Sequence, residues 1–322
     1  MNINTTKKND KQIVTVAVIT YHSAATVLET LDSILNQSYG PENVELIISD
    51  DGSKDTTVLV INDWLAQHQA KFHSVKFFAN EVNSGISKNC NVAWKAATSE
   101  WIKTIAGDDI LLPNCLADNV EFVLEHNDIA VLFSKMQSFK VTENGLKQNL
   151  AILPTARAQQ FFELPALKQF HYLQRQGISG APSAFINRVK LASIGFADER
   201  FKMMEDFPLW FNFTRTNNML HFMDKMTVEY RLTESVSHSS MKLINEVYFN
   251  EIIKVEIELV APTLSSQQKI LKFRKWFWPY LVVKIAKLFD NKVTLASRLF
   301  ITLAFMIRPG TIKSILNKIV YR

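Results

Sequence analysis

The hydrophobic positions of the first 135 residues follow two alternating spacings. One spacing is a short, continuous apolar run, which is typical of a strand buried on both faces of a parallel sheet. Such runs occur at residues 14–20, 44–49, 75–80, 101–106 and 129–134. The stretches between them place apolar residues on one helix face, as Val27, Leu31 and Ile34 do at i, i+4 and i+7. Alternating strands and helices predict a doubly wound, mostly parallel α/β sheet flanked by helices.

The pattern is weaker after this region. Residues 138–175 predict mixed turns and short strands, and a helix is predicted from Pro208 to about Thr216. Two strands are expected at 220–224 and 227–232, and the chain beyond Met241 has a helical pattern. We therefore expect a disordered polar N-terminus (1–12), an α/β domain (13–240) and a basic helical C-terminal region (241–322).

Polar residues follow three of the predicted strands at the points where those strands end. These are Thr20 with Tyr21, Asp51 with its neighbour Asp50, and the pair Asp108–Asp109. In open α/β sheets, ligands bind beyond the carboxyl ends of the parallel strands. The three polar clusters are therefore expected to meet at one edge and to form a binding site there.

Charge is distributed unevenly along the chain. The net charge is +5, yet residues 269–322 carry 12 Lys and Arg against one acidic residue. A cationic region with interleaved aromatic residues suits an anionic membrane surface, and the alternative is a helical bundle packed on the α/β domain with its lysines outward. The acidic remainder and the lack of a recognised module argue against nucleic-acid binding. The N-terminus has no secretory signal pattern and the two cysteines form no framework, so a cytoplasmic protein is expected.

Seven motifs in register resemble glycosyltransferase family 2, the inverting enzymes of the GT-A fold, and especially its bacterial members that build capsule and O-antigen. The motifs are VITYHSA, LDSILNQSY, IISDDGSKD, NSGISKNCN, GDD, the ED before a helix, and YRLTESVS. The resemblance covers roughly residues 13–240, so that region is expected to be the GT-A catalytic domain. Two departures stand out: Ala106 replaces the first Asp of the common D-x-D motif, and Thr233 stands where many relatives have His.

The resemblance implies a donor site for a nucleotide-sugar, with uridine favoured. The residues carried over to donor binding are Thr20, Tyr21, Asp51, Lys88, Asp108 and Arg231. Asp109 is the expected ligand of a divalent cation, Mn²⁺ or Mg²⁺, which would neutralise the departing diphosphate. A solvated turn is the alternative for the Asp108–Asp109 pair, and a solvated helix lysine is the alternative for Lys88.

The resemblance also implies a catalytic base. Asp206 matches the carboxylate that takes the proton of the acceptor hydroxyl, and Glu205 is the neighbour that could take or orient this role. The following helix N-terminus is expected to keep Asp206 ionised. An aspartate that only caps this helix is the alternative.

Together these features predict an inverting transferase that moves one sugar from a UDP-sugar to a saccharide acceptor. The acceptor is expected on a polyprenyl-diphosphate lipid at the inner face of the cytoplasmic membrane, in surface polysaccharide biosynthesis. Two alternatives stay open: an inactive homologue that acts as a membrane-associated assembly partner, and a sugar-nucleotide pyrophosphorylase. The pyrophosphorylase is disfavoured because TYHSAAT lacks a Gly-rich, basic phosphate loop.

Overall fold

A computed structural model of the chain describes residues 11–232 and 242–309. Within these residues one sheet of nine strands forms the centre of the molecule. The strands are β1 (Val14–Thr20), β2 (Val44–Asp50), β3 (Ser74–Ala79), β4 (Trp101–Ala106), β5 (Ile110–Leu111), β6 (Val131–Val141), β7 (Lys147–Leu153), β8 (Phe185–Asn187) and β9 (Leu220–Arg231). The helices are α1 (Val27–Leu35), α2 (Thr57–His68), α3 (Ile86–Ala96), α4 (Cys115–Glu125), α5 (Ala156–Gln159), α6 (Ala166–Leu173), α7 (Arg188–Ser193), α8 (Asp206–Arg215), α9 (Glu246–Val255), α10 (Lys269–Leu288) and α11 (Leu295–Met306).

The strand order is β3-β2-β1-β4-β8-β6-β9-β5, and β7 pairs with the C-terminal half of β6. The β1–β2, β1–β4, β2–β3 and β6–β9 pairs are parallel, as expected for strands joined by helices. The pairs made by β5, β7 and β8 are antiparallel. The parallel arrangement predicted for the N-terminal half is confirmed, and the second half of the sheet is mixed.

Side chains of β1 alternate between two hydrophobic cores, one on each face of the sheet. Val14, Val16 and Val18 pack with α1, α2 and α4 on one face. Ala17 and Ile19 pack with α3 and α8 on the other face. A strand covered on both faces needs apolar residues at every position, which explains its continuous apolar run.

Two expectations of the sequence were wrong in detail. The strands predicted at 220–224 and 227–232 are the single strand β9, whose pairing with β6 shifts register at two places where the sequence pattern breaks. The weakly patterned region 138–175 contains β7 and the helix α6. The exposed positions of β7 explain its weak signal, because an edge strand has no apolar alternation to display.

The C-terminal helices form a third small core, centred on Trp278, Val282 and Ala286 of α10. Between α9 and α10 the chain makes a π-helical turn over Glu256–Val260. No helix in the described part of the chain has both the length and the apolar character needed to cross a bilayer. Residues 1–10 of the predicted disordered N-terminus, Thr233, and residues 310–322 of the basic C-terminal region lie outside the described residues.

Candidate active site

The ends of β1, β2 and β4 meet at one edge of the sheet, as predicted. Thr20 pairs in register with Asp50, and the Asp51 amide donates to the Thr20 carbonyl at 3.0 Å. On the other side of β1, the Gly107 amide donates to the Ile19 carbonyl at 2.9 Å. The three polar clusters therefore share one crevice although about 90 residues separate the first from the last.

Asp50 closes the turn after β2. Its carboxylate accepts the Ser53 amide at 2.8 Å and the Thr20 hydroxyl at 2.9 Å, and it is fully buried. Thr20 is also buried, at 1% exposure, so its side chain holds this turn. The interpretation of Asp50 as a turn residue agrees with these contacts.

Asp51 fastens the loop before α3 to the strand edge. Its two carboxylate oxygens accept the backbone amides of Ser84 at 2.8 Å and Gly85 at 2.9 Å. Burial raises the pKa of Asp51 above its usual value, although these amides and the nearby Lys88 charge oppose the shift. Asp51 is only 3% exposed, whereas Lys88 on the first turn of α3 is exposed.

Tyr21 is the accessible aromatic residue at this edge. Its side chain is 47% exposed and its ring stacks on that of His22, with centroids 4.0 Å apart. His22 adopts a positive φ of 51°, which turns the chain sharply after β1. An exposed ring at a strand end can stack on a planar base, so the position agrees with the predicted role.

The two carboxylates of the GDD turn have different environments. Asp109 is 1% exposed, and its Oδ1 accepts the backbone amide of Arg231 at 2.8 Å. Burial, and then the charge of Asp108, raise the pKa of Asp109 well above its usual range. Asp108 is partly exposed. The more accessible carboxylate of the pair is therefore Asp108.

Arg231 holds the GDD turn in place. Its Nε donates to the Asp108 carbonyl at 2.8 Å, and its guanidinium forms an ion pair with Glu29 of α1 at 2.6 Å. The guanidinium also lies over the Phe139 ring, 4.7 Å from its centroid. With 7% exposure and these partners, Arg231 acts on the turn in this structure.

These contacts test whether the turn fits a divalent cation. Asp109 does not fit the ligand role that was predicted for it, because its carboxylate is buried and one oxygen is taken by an amide. Asp108 fits better, since one accessible carboxylate is enough when phosphates and water supply the other ligands. Within the described residues, no group of three or more His, Cys, Asp or Glu could hold a metal ion without such help.

Glu205 and Asp206 lie at the start of α8, and both are partly buried. Burial, and then the Asp206 charge, raise the pKa of Glu205 to about 8. Burial also raises the pKa of Asp206, although its own Oδ1 accepts the Phe207 amide at 2.6 Å. Desolvation therefore outweighs the amide hydrogen bond and raises the pKa of Asp206, and the ionisation of Asp206 near neutral pH stays a prediction.

Helix α3 positions this carboxylate pair. The Asn91 side chain donates to the Ala197 carbonyl and accepts the Ala197 amide, both at 2.9 Å. Ser87 donates to the Phe201 carbonyl. The segment before α8 is therefore clamped onto the same helix whose N-terminal loop is held by Asp51.

Two side chains, the buried Cys90 and the half-buried Tyr230, feel the charges of both the strand-edge carboxylates and the catalytic pair. The Cys90 thiol is close enough to the charges of Glu205, Asp206 and Asp51 for all three to raise its pKa, after burial itself. The pKa of the Tyr230 phenol is likewise raised by burial and then by the charges of Asp109, Asp108 and Asp206. The distant acidic residues of the sequence thus surround common neighbours.

A cavity of about 720 Å³ opens beside Asp206. This volume lies within the range of small-molecule sites. Of the nine predicted site residues, all of which the structure describes, Asp206 is the one that lines it. The opposite wall comes from α9, α10 and α11.

Sequence reasoning missed Asn89, Asn91, Tyr230, Glu29 and the C-terminal wall of the cavity. Asn89 accepts the Ser49 hydroxyl at 2.5 Å and donates to the Thr20 carbonyl at 3.2 Å, so it joins β1 to β2. The motif NSGISKNCN contains both asparagines, and their place in this motif was the available signal. The sequence held no signal for the role of Glu29, because its partner Arg231 lies 202 residues away.

The sheet and its C-terminal helices resemble solved glycosyltransferase structures. Residues 1–349 of S. aureus TarS, in complex with UDP-GlcNAc, match with a TM-score of 0.59 and 20% identity over 92% of this chain and 82% of that one. Mannosyltransferase PcManGT from Pyrobaculum calidifontis, in complex with GDP-Man and Mn²⁺, matches with a TM-score of 0.55 and 14% identity over 93% and 74%. The expected GT-A fold is confirmed.

The sequence defines the family within this fold. The profile described as "Glycosyl transferase family 2" matches residues 15–193, more than half of the chain. The chain belongs to this family of glycosyltransferases.

Curated relatives agree with this membership. EpsE of Bacillus subtilis (strain 168), named as a glycosyltransferase, is 31% identical over 119 residues, which are 37% of this chain and 41% of EpsE. WfgD of Escherichia coli, named UDP-Glc:alpha-D-GlcNAc-diphosphoundecaprenol beta-1,3-glucosyltransferase, is 23% identical over 210 residues, 65% of this chain and 73% of WfgD.

Proposed function

We propose that the protein transfers one sugar, with inversion, from a UDP-sugar to a saccharide acceptor. One observation carries the proposal: Asp206 lines a ligand-sized cavity, and its charge acts on the same side chains, Cys90 and Tyr230, as the charges of the strand-edge carboxylates. Family membership supports sugar transfer, and the complexes of TarS with UDP-GlcNAc support uridine in the donor.

The donor would lie along the edge formed by β1, β2 and β4. Tyr21 offers an exposed ring for the base, and Lys88 offers an exposed cation near Asp51. Thr20, Asp51, Asp109 and Arg231 are buried and engaged, so we assign them to shaping this edge. Asp51 does so through the two amides at the start of α3.

The reaction needs one in-line displacement. The acceptor oxygen would bond to the anomeric carbon, and the bond from that carbon to the diphosphate oxygen would break with its electron pair leaving on UDP. Asp206 would take the acceptor proton, and burial brings its pKa closer to neutral pH, which suits a general base. Glu205, with a pKa of about 8, would carry a proton and hold the pair at a single negative charge.

We propose a divalent cation, Mn²⁺ or Mg²⁺, as the cofactor, and we assign its protein ligand to Asp108. The cation would neutralise charge on the leaving diphosphate. The Mn²⁺ in the PcManGT complex supports a metal in this fold. The accessibility of Asp108 supports its choice over Asp109.

We further propose a lipid-linked acceptor and attachment to the inner face of the cytoplasmic membrane, as part of O-antigen or capsule assembly. The name of WfgD, whose acceptor is a diphosphoundecaprenol saccharide, supports the first point. The exposed stripe of Leu295, Leu299, Leu303 and Met306 on α11, in the basic region, supports the second. These residues recur at i, i+4, i+8 and i+11, which is the spacing of an interfacial helix face.

The test measures UDP binding and UDP release with a panel of UDP-sugars and saccharide acceptors. Asp206→Asn is expected to abolish UDP release while UDP binding measured by calorimetry survives, because the amide cannot take a proton. Asp63→Asn, the same change at an exposed position of α2, is the matched control and is expected to keep both.

Full turnover in Asp206→Asn would contradict the assignment of the base. UDP binding without UDP release for any donor and acceptor in the unmodified protein would favour the inactive assembly partner. Release of inorganic pyrophosphate from a nucleoside triphosphate and a sugar phosphate would favour a pyrophosphorylase.

A further inference from the structure

The cavity beside Asp206 is not lined evenly. Its C-terminal wall combines apolar side chains, such as Phe249 and Trp278, with the charged residues Glu256, Lys275 and Arg308. Arg175, before β8, lines it as well. A wall that mixes aromatic surface and cations differs from the donor edge, where carboxylates dominate.

Glu256 and Lys275 form a buried ion pair in this wall. Their side chains are 9% and 4% exposed, and the Lys275 Nζ lies 2.5 Å from the Glu256 Oε1. The Glu256 Oε2 is buried and has no hydrogen-bond partner among the described residues. Burying such a group costs free energy unless a donor is supplied, so a hydroxyl of a bound saccharide, or a water, is indicated at the wall.

The backbone that carries Glu256 is itself unusual. Glu256 opens the π-helical turn Glu256–Val260 between α9 and α10. Such turns are rare and occur frequently at functional sites. The turn therefore agrees with a binding role for this wall.

Arg308 supplies a second cation at the same cavity. Its guanidinium lies over the Trp278 ring, 5.2 Å from the centroid, and it is exposed. No carboxylate of residues 11–232 or 242–309 lies within ion-pair distance of it. The Arg308 charge acts to lower the pKa of Glu256, of Lys275 and of Tyr248.

Tyr248 connects the two ends of the cavity. Burial, and then the charge of Asp206, raise the pKa of the Tyr248 phenol. The charge of Arg308 acts to lower it. A ligand that extends past Tyr248 would therefore meet a carboxylate at one end and a guanidinium at the other.

We propose that this cavity binds the acceptor by a phosphate group, with Arg308 as its principal ligand and with the accepting hydroxyl at Asp206. The inference rests on the proposed function and adds the place in the fold where the acceptor's phosphate is held. Arginine binds phosphate through paired, charge-assisted hydrogen bonds. Lys275 and Glu256 neutralise each other in the wall, so the positive charge offered to the phosphate is that of Arg308.

Phosphate of this kind has two sources, a lipid diphosphate or a chain of polyol phosphates. Both present a phosphate ester next to the accepting hydroxyl. The experiment below separates them by comparing farnesyl diphosphate with glycerol 3-phosphate.

The experiment titrates the full chain, saturated with UDP to occupy the donor edge, with inorganic pyrophosphate in a calorimeter. Arg308→Gln is expected to weaken pyrophosphate binding about tenfold or more, because a charged hydrogen bond of this kind contributes about 1.5–3 kcal/mol. Arg298→Gln is the matched control: Arg298 is exposed on α11 and does not line the cavity, so unchanged affinity is expected.

Tighter binding of farnesyl diphosphate than of glycerol 3-phosphate assigns the phosphate to a lipid, and the reverse order assigns it to a polyol phosphate chain. Equal pyrophosphate affinity in Arg308→Gln and the unmodified chain, or no binding in either, overturns the proposal. UDP affinity, measured in separate titrations of the same proteins without added UDP, reports the donor site, so failure of the transferase assignment is distinguishable from failure of the phosphate site.

Discussion

The carboxyl groups of this site differ in their contacts, and those contacts decide their roles. Asp51 and Asp109 are bound to backbone amides and are almost inaccessible. Asp108, Glu205 and Asp206 keep partial exposure. Residues that hold the crevice together are thus separated from residues that can meet a ligand.

The Glu205–Asp206 pair is expected to make stability and activity depend on pH. Folding raises the pKa of Glu205 from 4.5 to about 8, so the folded state binds more protons between these values. The free energy of unfolding should therefore fall as pH rises from about 4.5 to about 8 and then level off. Glu205→Gln should flatten this fall in urea titrations.

The same substitution should leave the acid limb of kcat/KM in place, because Glu205 already carries a proton where Asp206 titrates, and should remove any ionisation near pH 8 from the profile. Glu199→Gln, an acidic residue exposed near α3, serves as the control and should leave the whole profile unchanged. An ionisation near pH 8 that persists in Glu205→Gln would show that it belongs to another group.

Asp108 and Asp109 are expected to respond differently to truncation. Asp109→Ala leaves the buried Arg231 amide without its acceptor and should lower the free energy of unfolding by about 1–3 kcal/mol. Asp108→Ala should remove the Mn²⁺ dependence of UDP affinity. Urea unfolding and calorimetry with and without Mn²⁺ measure the two effects.

Asp109→Asn keeps an acceptor oxygen and should restore most of the stability lost in the alanine variant. UDP affinity that depends on Mn²⁺ in Asp108→Ala, but not in a folded Asp109→Asn, would return the metal to Asp109.

At the scale of elements, helix α3 joins the donor edge to the catalytic pair. Gly85 starts the helix with a φ of +95°, and a Cβ there would lie 2.6 Å from the Lys202 carbonyl. The close approach of these two segments thus depends on the missing side chain.

Gly85→Ala is expected to displace the segment before α8 and to reduce kcat far more than it reduces UDP affinity. Gly145→Ala is the matched control, because its φ is +75° but a Cβ there meets nothing within 4 Å. Both variants carry a backbone penalty of about 1–2 kcal/mol, which thermal unfolding measures. Equal kcat in the two variants would contradict a role for this contact.

At the scale of the whole molecule, the acidic and basic regions suggest one orientation at a membrane. Residues 269–322 are strongly basic, whereas the remaining chain is net acidic. An anionic surface would attract the C-terminal region and repel the α/β domain. The exposed α11 stripe would then lie against the lipid.

The full chain is expected to bind vesicles containing phosphatidylglycerol in a flotation assay, and not vesicles of phosphatidylcholine alone. Leu303→Glu should weaken this binding because it places a charge in the α11 stripe. Leu146→Glu changes an equally apolar residue that is 68% exposed before β7, and should have no effect. Binding that is insensitive to Leu303→Glu would favour the alternative of a helical bundle whose exposed face meets no lipid.

The α/β fold was readable from the sequence because its main signals are local. The continuous apolar runs of β1 and β4 and the helical spacing in α1 and α3 depend on neighbours within a few residues. The strand-end rule then located Thr20, Asp51 and Asp108 at one edge. Where the local signal fails, as in edge strand β7 and the register shifts of β9, prediction failed too.

The sequence by itself determined the sheet, the family and the acidic residues of the site. Tertiary structure alone decided which of those acids are accessible, because exposure depends on chain segments far apart in sequence. Arg231 reaches Asp109 across 122 residues. The wall that faces Asp206 likewise comes from helices after residue 245. Long-range pairing, and the burial of polar side chains that it causes, leave no periodic trace in a sequence, which is why the site's residues could be named before its geometry could.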